Sequence, residues 1–306
     1  MSNQPSGRHA TVVTDDGVPL SVREYGPVTA PVTAVFAHGH CLRSESWHPL
    51  RDRLSGSWGP GVRMVFYDHR GHGRSGHAAP DSYTIDRLGR DLGTVIGTRV
   101  PHGPVVLIGH SMGGMVAMAC VRQNPTLAST RLAAVALIST AAGGLAEVGL
   151  GRMLRSPALS AFHTAVRLAP RATAGTKRVG CGAAAALMRF GGSRGLDPRV
   201  LAVAAAMAGN TSVVTMSRFL QAFVGFDEFA AVPLIASVPS LVLCGSADLM
   251  TPFSHSMSLA ERLPLSELVR VDGAGHSVIL ERVPEVAAAL DSLVTRVGGA
   301  LVAPAV

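Results

Sequence analysis

The chain has 306 residues, of which 47% are apolar and 15% are charged, a composition that excludes a disordered or collagen-like protein. Its formal net charge is +7, but 26 of the 27 cations are Arg and no block of five like charges occurs. Since only 5% of the residues are aromatic, this basic balance does not predict a nucleic-acid-binding protein.

Short apolar segments recur along the chain and predict the strands of a sheet. The first two flank an Asp-Gly turn and predict a hairpin, and the later ones lack alternation, as buried parallel strands do. Apolar residues with helical spacing lie between strands, most clearly at residues 85–96 and 283–297. This order predicts a doubly wound, mostly parallel, eight-stranded α/β sheet. The predicted strands are residues 10–13, 20–25, 32–37, 62–67, 105–108, 133–138, 240–244 and 268–271.

The alternation of strands and helices is interrupted over residues 142–237, which are rich in Ala, Leu, Met and Gly and predict several helices. Residues 1–141 and 238–306 are therefore expected to form the α/β core, with 142–237 as a helical insert. The insert carries ten cations and four acids, so nearly all of the net charge lies in it. The cations are Arg152, Arg155, Arg167, Arg171, Lys177, Arg178, Arg189, Arg194, Arg199 and Arg218, and the acids are Glu147, Asp197, Asp227 and Glu228.

Targeting and cysteine patterns point to a cytoplasmic protein. The N-terminal residues contain no apolar segment typical of a secretory signal. The longest weakly apolar run, residues 132–146, is too short and too polar to span a bilayer. Cys41, Cys120, Cys181 and Cys244 are widely spaced and form no CxxC pair, which favours four reduced thiols.

The sequence Gly109-His110-Ser111-Met112-Gly113 directly follows a predicted strand and precedes a helix-like segment. The pattern G-x-S-x-G is typical of a nucleophile elbow, in which small residues flank the serine because the strand-to-helix turn is sharp. The helix N-terminus behind the serine would offer N–H groups and a positive dipole end to a developing oxyanion. Ser111 is therefore the candidate nucleophile.

A serine nucleophile needs a base, and the base needs an orienting acid. Asp248 follows the strand at 240–244, and His276 follows the strand at 268–271. Both are expected at the carboxyl edge of the sheet, the edge where Ser111 lies and where open α/β sheets place their sites. The chain order Ser, Asp, His is the order of the α/β-hydrolases.

Across nearly its whole length the sequence resembles the α/β-hydrolase fold family, in particular serine esterases and lipases, and it is also similar to the non-haem peroxidase-like members. The resemblance rests on His38-Gly39-His40, on the loop from Asp68 to Ser75, on the serine elbow, and on the Asp248 and His276 loops. It implies Ser111 as nucleophile, His276 as base and Asp248 as its carboxylate.

The same resemblance implies an oxyanion hole made of the backbone N–H groups of His40 and Met112, with Cys41 as an alternative donor to His40. The His40 side chain is then incidental to the chemistry. Asp68 and Arg70 match a loop of the family whose role we interpret as structural, since a buried Arg–Asp pair can brace the floor of the site.

No cofactor or metal is predicted. Although His38, His40, His69 and His72 cluster in the sequence, they form neither H-E-x-x-H nor another metal-binding pattern. Neither a G-x-G-x-x-G sequence after a strand nor a Walker loop occurs, so a nucleotide cofactor is not expected.

The resemblance also bears on the reaction. Epoxide hydrolases and haloalkane dehalogenases carry Asp at the elbow, and epoxide hydrolases add tyrosines from the cap, whereas this chain has Ser111 and no tyrosine in the insert. We therefore expect hydrolysis of a small to medium apolar carboxylic ester through an acyl-enzyme. Cofactor-free perhydrolysis or haloperoxidation, and hydrolysis of a carbon–carbon bond in a diketone, use the same triad and remain alternatives. A non-catalytic ligand receptor is a third, from a different class.

The position of the insert matches the helical cap that this family places over the catalytic serine. Flexible Met and Phe side chains of the insert, Phe219 and Phe223 among them, would suit an acyl chain of moderate length. Its cations are expected on a solvated outer face. Any that line the entrance would attract anionic substrates or, transiently, an acidic lipid surface.

Overall fold

The fold is described from a computed structural model, in which residues 7–174, 206–207 and 209–302 are described. Five of the ten insert cations lie outside these residues, as does Cys181. No disulfide joins Cys41, Cys120 and Cys244, the cysteines within the described part of the chain.

Eight strands form one sheet in the order β1-β2-β4-β3-β5-β6-β7-β8. The pairs β1–β2 and β2–β4 are antiparallel, and every other neighbouring pair is parallel. The predicted eight-stranded, mostly parallel sheet opened by a hairpin is confirmed. The strands are β1 Arg8–Val13, β2 Pro19–Tyr25, β3 Val32–Ala37, β4 Val62–Tyr67, β5 Val105–His110, β6 Leu132–Ile138, β7 Ser240–Gly245 and β8 Ser266–Val271.

Helices cover both faces of the sheet. The central strands β3, β4 and β5 are buried at every residue, which explains why their sequences are continuously apolar instead of alternating. The α-helices whose bounds lie wholly within the described ranges are α1 His48–Trp58, α2 Ile85–Arg99, α3 Met112–Gln123, α4 Pro125–Thr130, α5 Pro157–Leu168, α6 Val213–Ala222, α7 Val232–Ile235, α8 Phe253–Ala260, α9 Val278–Glu281 and α10 Val283–Val302.

Two apolar clusters, one on each side of the sheet, make up the core. Helices α2 and α3 contribute to one cluster, and α1 and α10 to the other. Alternate residues of a single strand point to opposite clusters, as Val35 and Phe36 of β3 do. The helical spacing at residues 85–96 and 283–297 supplies these buried faces.

Helices α5 and α6 lie in the stretch between β6 and β7, and each is preceded by an N-cap serine whose hydroxyl accepts a backbone N–H of the first turn. Ser156 accepts from Leu159 and Ser212 from Thr215. The two ends of this stretch meet, since Gly143 and Asp227 form an isolated antiparallel bridge. No helix within the described ranges is long and apolar enough to cross a membrane.

Candidate active site

Ser111 occupies the single residue between β5 and α3, so the strand turns directly into the helix. Its φ of 54° is in the left-handed region that non-glycine residues rarely adopt. Gly109 and Gly113 permit this turn, because a Cβ at Gly113 would overlap the carbonyl oxygen of Ala37 and one at Gly109 would overlap that of Gly113. The backbone strain at Ser111 is the expected signature of a nucleophile elbow.

The structure brings the three predicted catalytic residues together from loops that are far apart in sequence. Nε2 of His276 lies 2.9 Å from Oγ of Ser111, and Nδ1 of His276 lies 2.8 Å from Oδ2 of Asp248. Asp248 follows β7 and His276 follows β8, so all three lie at the carboxyl edge of the parallel strands. The distances are those of a hydrogen-bonded Ser-His-Asp chain.

Asp248 is held by its own loop as well as by His276. Oδ1 accepts the backbone N–H groups of Met250 and Thr251, both at 2.9 Å, and Oδ2 accepts the Thr251 hydroxyl at 2.8 Å. Burial alone would raise the pKa of Asp248, but the positive charge that His276 can carry and these hydrogen bonds lower the pKa below its usual value. The carboxylate is therefore ionised and fixed in position.

His276 is the titratable partner of this carboxylate. Burial opposes its protonation, yet the charge and hydrogen bond of Asp248, with a smaller contribution from Glu281, raise the pKa of His276 above its ordinary value. The side chain retains 17% of its exposure, so a ligand can reach it. A base of this kind can take the hydroxyl proton of Ser111 and hold it as an imidazolium.

Two contacts at the triad have no signal in the sequence. The Thr251 hydroxyl that binds Asp248 also lies 3.3 Å from Nδ1 of His276. The buried His110 ring donates from Nε2 to the main-chain carbonyl of His276 at 2.9 Å, since a carbonyl can only accept. Both residues stand beside recognisable ones, but the contacts depend on how distant loops meet.

The loop after β3 brings the candidate oxyanion donors to the nucleophile. A Cβ at Gly39 would lie 3.2 Å from Cβ of Ser111, so the backbone of this loop passes directly against the serine. The alternative donor, the N–H of Cys41, is engaged by Nε2 of His72 at 3.2 Å. The N–H of Met112 is the first of its helix and has no intrahelical acceptor.

The expected buried pair between Arg70 and Asp68 does not form, because Arg70 pairs with a different aspartate. Arg70 forms a buried bidentate pair with Asp91 of α2, at 2.6 and 2.7 Å, and reaches Asp16 at 2.8 Å. Asp68 instead accepts the backbone N–H groups of Ser44 and Arg74, so its oxygens are already occupied by the loop around it. Arg70 thus joins the loop after β4 to α2 and to the Asp16 turn, and it does not pair with Asp68.

Three of the four clustered histidines, His38, His69 and His72, bind backbone groups. His38 accepts the N–H of His69 at 3.0 Å, and Nε2 of His69 donates to the carbonyl of His38 at 2.9 Å. Within the described ranges, no group of three or more His, Cys, Asp or Glu side chains is arranged to hold a metal ion.

Comparison with known proteins identifies the family of this chain. The family model for the alpha/beta hydrolase fold matches residues 35–283. The chain belongs to the α/β-hydrolase fold family and is a hydrolase of that family.

Among the similar proteins is lipase LipV of Mycobacterium tuberculosis, 34% identical over 143 residues that cover 46% of this chain and 50% of LipV. Epoxide hydrolase A of the same organism is 29% identical over 322 residues, covering 93% of this chain and 96% of that protein. A solved structure of a thermophilic esterase from Thermogutta terrifontis superposes with a TM-score of 0.73 at 23% identity, covering 95% of this chain and 99% of the esterase. The structural likeness concerns the fold.

Proposed function

We propose that this protein hydrolyses carboxylic esters through an acyl-enzyme on Ser111. The observation that carries the proposal is the continuous hydrogen-bonded chain from Oγ of Ser111 through His276 to Asp248, at 2.9 and 2.8 Å. A serine in this setting can be deprotonated as it attacks, because the proton passes to an imidazole whose charge the buried carboxylate stabilises.

In the first half-reaction, Oγ of Ser111 attacks the ester carbonyl carbon while Nε2 of His276 takes its proton. The carbonyl oxygen becomes an oxyanion, for which we assign the backbone N–H groups of His40 and Met112 as donors. The tetrahedral intermediate collapses when the imidazolium protonates the leaving alcohol. Water activated by His276 then attacks the acyl-enzyme, which releases the carboxylic acid and returns the proton to Ser111.

Epoxide opening is the chemistry that the name of one relative suggests, and the serine argues against it here. Attack of a serine oxygen on an epoxide carbon would leave an ether, which water activated by an imidazole does not cleave. An aspartate at the elbow forms an ester instead, which can be hydrolysed. Ser111 therefore supports acyl transfer.

We assign the insert, residues 142–237, as a cap, of which residues 175–205 and 208 lie outside the described part of the chain. Its helix α6 packs over the oxyanion loop, residues 38–41. Phe219 of α6 is fully buried, and its ring lies 5.8 Å from that of His40. The ring of Phe223 lies 5.6 Å from His40. An aromatic wall beside the proposed oxyanion hole suits an apolar acyl or alcohol group of small to medium size.

The decisive experiment combines labelling with turnover. A fluorophosphonate probe should label the wild-type protein and not Ser111→Ala, and the wild type should turn over p-nitrophenyl esters. Labelling without turnover of esters or diketones, and without formation of peracid from hydrogen peroxide, would indicate a receptor on this fold and would overturn the proposal.

Substrate size is tested with p-nitrophenyl esters of two to twelve carbons. We expect kcat/KM to rise from acetate toward medium chains, because each buried methylene contributes about 0.8 kcal/mol, roughly a fourfold gain. A strict preference for acetate would contradict an apolar acyl pocket under α6.

A further inference from the structure

Like Ser111, one residue of the oxyanion loop, residues 38–41, has a strained backbone. Cys41 has a φ of 59°, in the left-handed region that side chains other than glycine rarely adopt. Cys41 directly follows His40, whose N–H is assigned to the oxyanion hole. A backbone that departs from its preferred conformation at this point must be held there by its surroundings.

His72 supplies a contact that holds it. The N–H of Cys41 donates to Nε2 of His72 at 3.2 Å, and Nδ1 of His72 lies 3.1 Å from the carbonyl oxygen of Arg70. Because a carbonyl can only accept, the proton of the ring is on Nδ1 and Nε2 is the acceptor. The ring is 1% exposed, and both of its nitrogens are engaged.

This bond has a direct consequence for the oxyanion hole. Two consecutive N–H groups, those of His40 and Cys41, follow the His-Gly pair, and the one on Cys41 is taken by His72. The loop lies against the nucleophile, as the close approach of Gly39 to Ser111 shows. Relaxation of the backbone at Cys41 from its φ of 59° would break the bond to His72 and let the adjoining residue His40 shift, together with its own N–H.

We infer that His72 is a positioning residue for the oxyanion hole: by accepting the N–H of Cys41 it fixes the loop in the orientation in which the N–H of His40 serves the substrate oxygen. The inference rests on the proposed ester hydrolysis. Within the described part of the chain, no hydrogen bond or ring contact joins His72 to Ser111 or His276, so we expect it to act through the loop.

The surroundings of His72 favour this role over simple filling of space. The reciprocal bonds between His38 and His69 already attach the start of the loop to the β4 side of the site. His72 adds the attachment at the other end of the loop. Burial lowers the pKa of His72 to about 3, so the ring stays a neutral acceptor throughout the working pH range.

The test uses variants that separate hydrogen bonding from volume. His72→Gln can place its Oε1 near the position of Nε2 and accept the N–H of Cys41. His72→Asn offers an acceptor only near the position of Nδ1, and His72→Phe offers none. His102→Phe, at an exposed histidine in the loop before β5, is the control.

Each variant is measured for kcat and KM on a p-nitrophenyl ester and for inhibition by a trifluoromethyl ketone, whose adduct with serine carries an oxyanion. His72→Phe and His72→Asn are expected to lower kcat by about 10- to 100-fold and to weaken ketone binding by a similar factor, with KM within about twofold. His72→Gln should stay within about fivefold of the wild type in both. Thermal unfolding establishes that each variant is folded.

The Gln and Asn variants decide the inference even if the Phe variant does not fold. Equal losses in Gln and Asn, or losses confined to KM, would show that His72 only fills space and would overturn the inference while leaving the proposed function intact. Absence of ester turnover in the wild type would overturn the proposed function, and this inference with it.

Discussion

His110 and His276 are joined by a hydrogen bond from Nε2 of one ring to the main-chain carbonyl of the other residue, 2.9 Å long and spanning 166 positions of sequence. His110 immediately precedes the nucleophile. The bond therefore connects the serine elbow directly to the loop that carries the base, and it does so without using the imidazole of His276.

Removal of this bond should make the position of His276 relative to Ser111 less well defined. We expect His110→Phe to lower kcat by about tenfold or more with little change in KM, since a small displacement in the site is costly to the chemical step. His110→Gln, which can place an N–H near the position of Nε2, should recover most of the rate. Steady-state kinetics measure both, and equal activity of the Phe variant and the wild type would contradict the role.

The triad should behave as one unit. Ser111→Ala, His276→Ala and Asp248→Asn are each expected to reduce ester turnover by about 10³-fold or more, and double variants should lose little beyond the worst single one. Asp272→Asn is the matched control, because Asp272 is 86% exposed and pairs with Arg270. Additive losses in the doubles would contradict a shared mechanism.

The pH dependence follows from the raised pKa of His276. Only the neutral imidazole accepts the serine proton, so kcat/KM should fall as the pH drops through the pKa of His276 in the folded protein. Burial opposes protonation of His276, but the charge of Asp248 raises its pKa. The fall of kcat/KM on the acid side should therefore be centred above the ordinary histidine pKa of about 6.5. A limb below that value in a pH–rate profile would contradict the assignment.

Stability should fall steeply in mild acid because several buried histidines are neutral. Burial is the main cause that lowers the pKa of His38 to about 4 and of His40, His72 and His110 to about 3. Between these values and about 6.5 the unfolded chain binds more protons than the folded one, so the free energy of unfolding decreases as the pH falls.

Each histidine that stays neutral in the folded protein lowers the free energy of unfolding by about 1.4 kcal/mol for each pH unit in that window. Denaturant unfolding between pH 7 and 4.5 should therefore show a sharp loss. The raised pKa of His276 acts in the opposite sense, since its contribution is lost only as the pH rises through that pKa. A flat profile below pH 6.5 would contradict the neutral histidines.

The sequence predicted the sheet and the three triad residues because both depend on local patterns. The glycines around Ser111 and the strands before Asp248 and His276 are visible within a few residues of each site. The partner of Arg70 was wrongly expected to be Asp68, because a loop sequence does not show which oxygens its own backbone occupies. Thr251 and His110 could not be found either, since their contacts arise only when separate loops pack.

Phe219 couples the size of the proposed acyl pocket to the packing of His72. Its ring is packed against both His40 and His72, at 5.8 and 5.6 Å between ring centroids, and against Tyr83 at 5.5 Å. In the proposed acyl pocket, a smaller residue here is expected to accommodate bulkier substrates, but it would also remove a ring contact with His72, which accepts the N–H of Cys41. Substitution of Phe219 is therefore expected to lower the rate while it widens the proposed pocket. Phe223, which contacts His40 alone among these rings, offers a position where side-chain size can change with less effect on the chemistry.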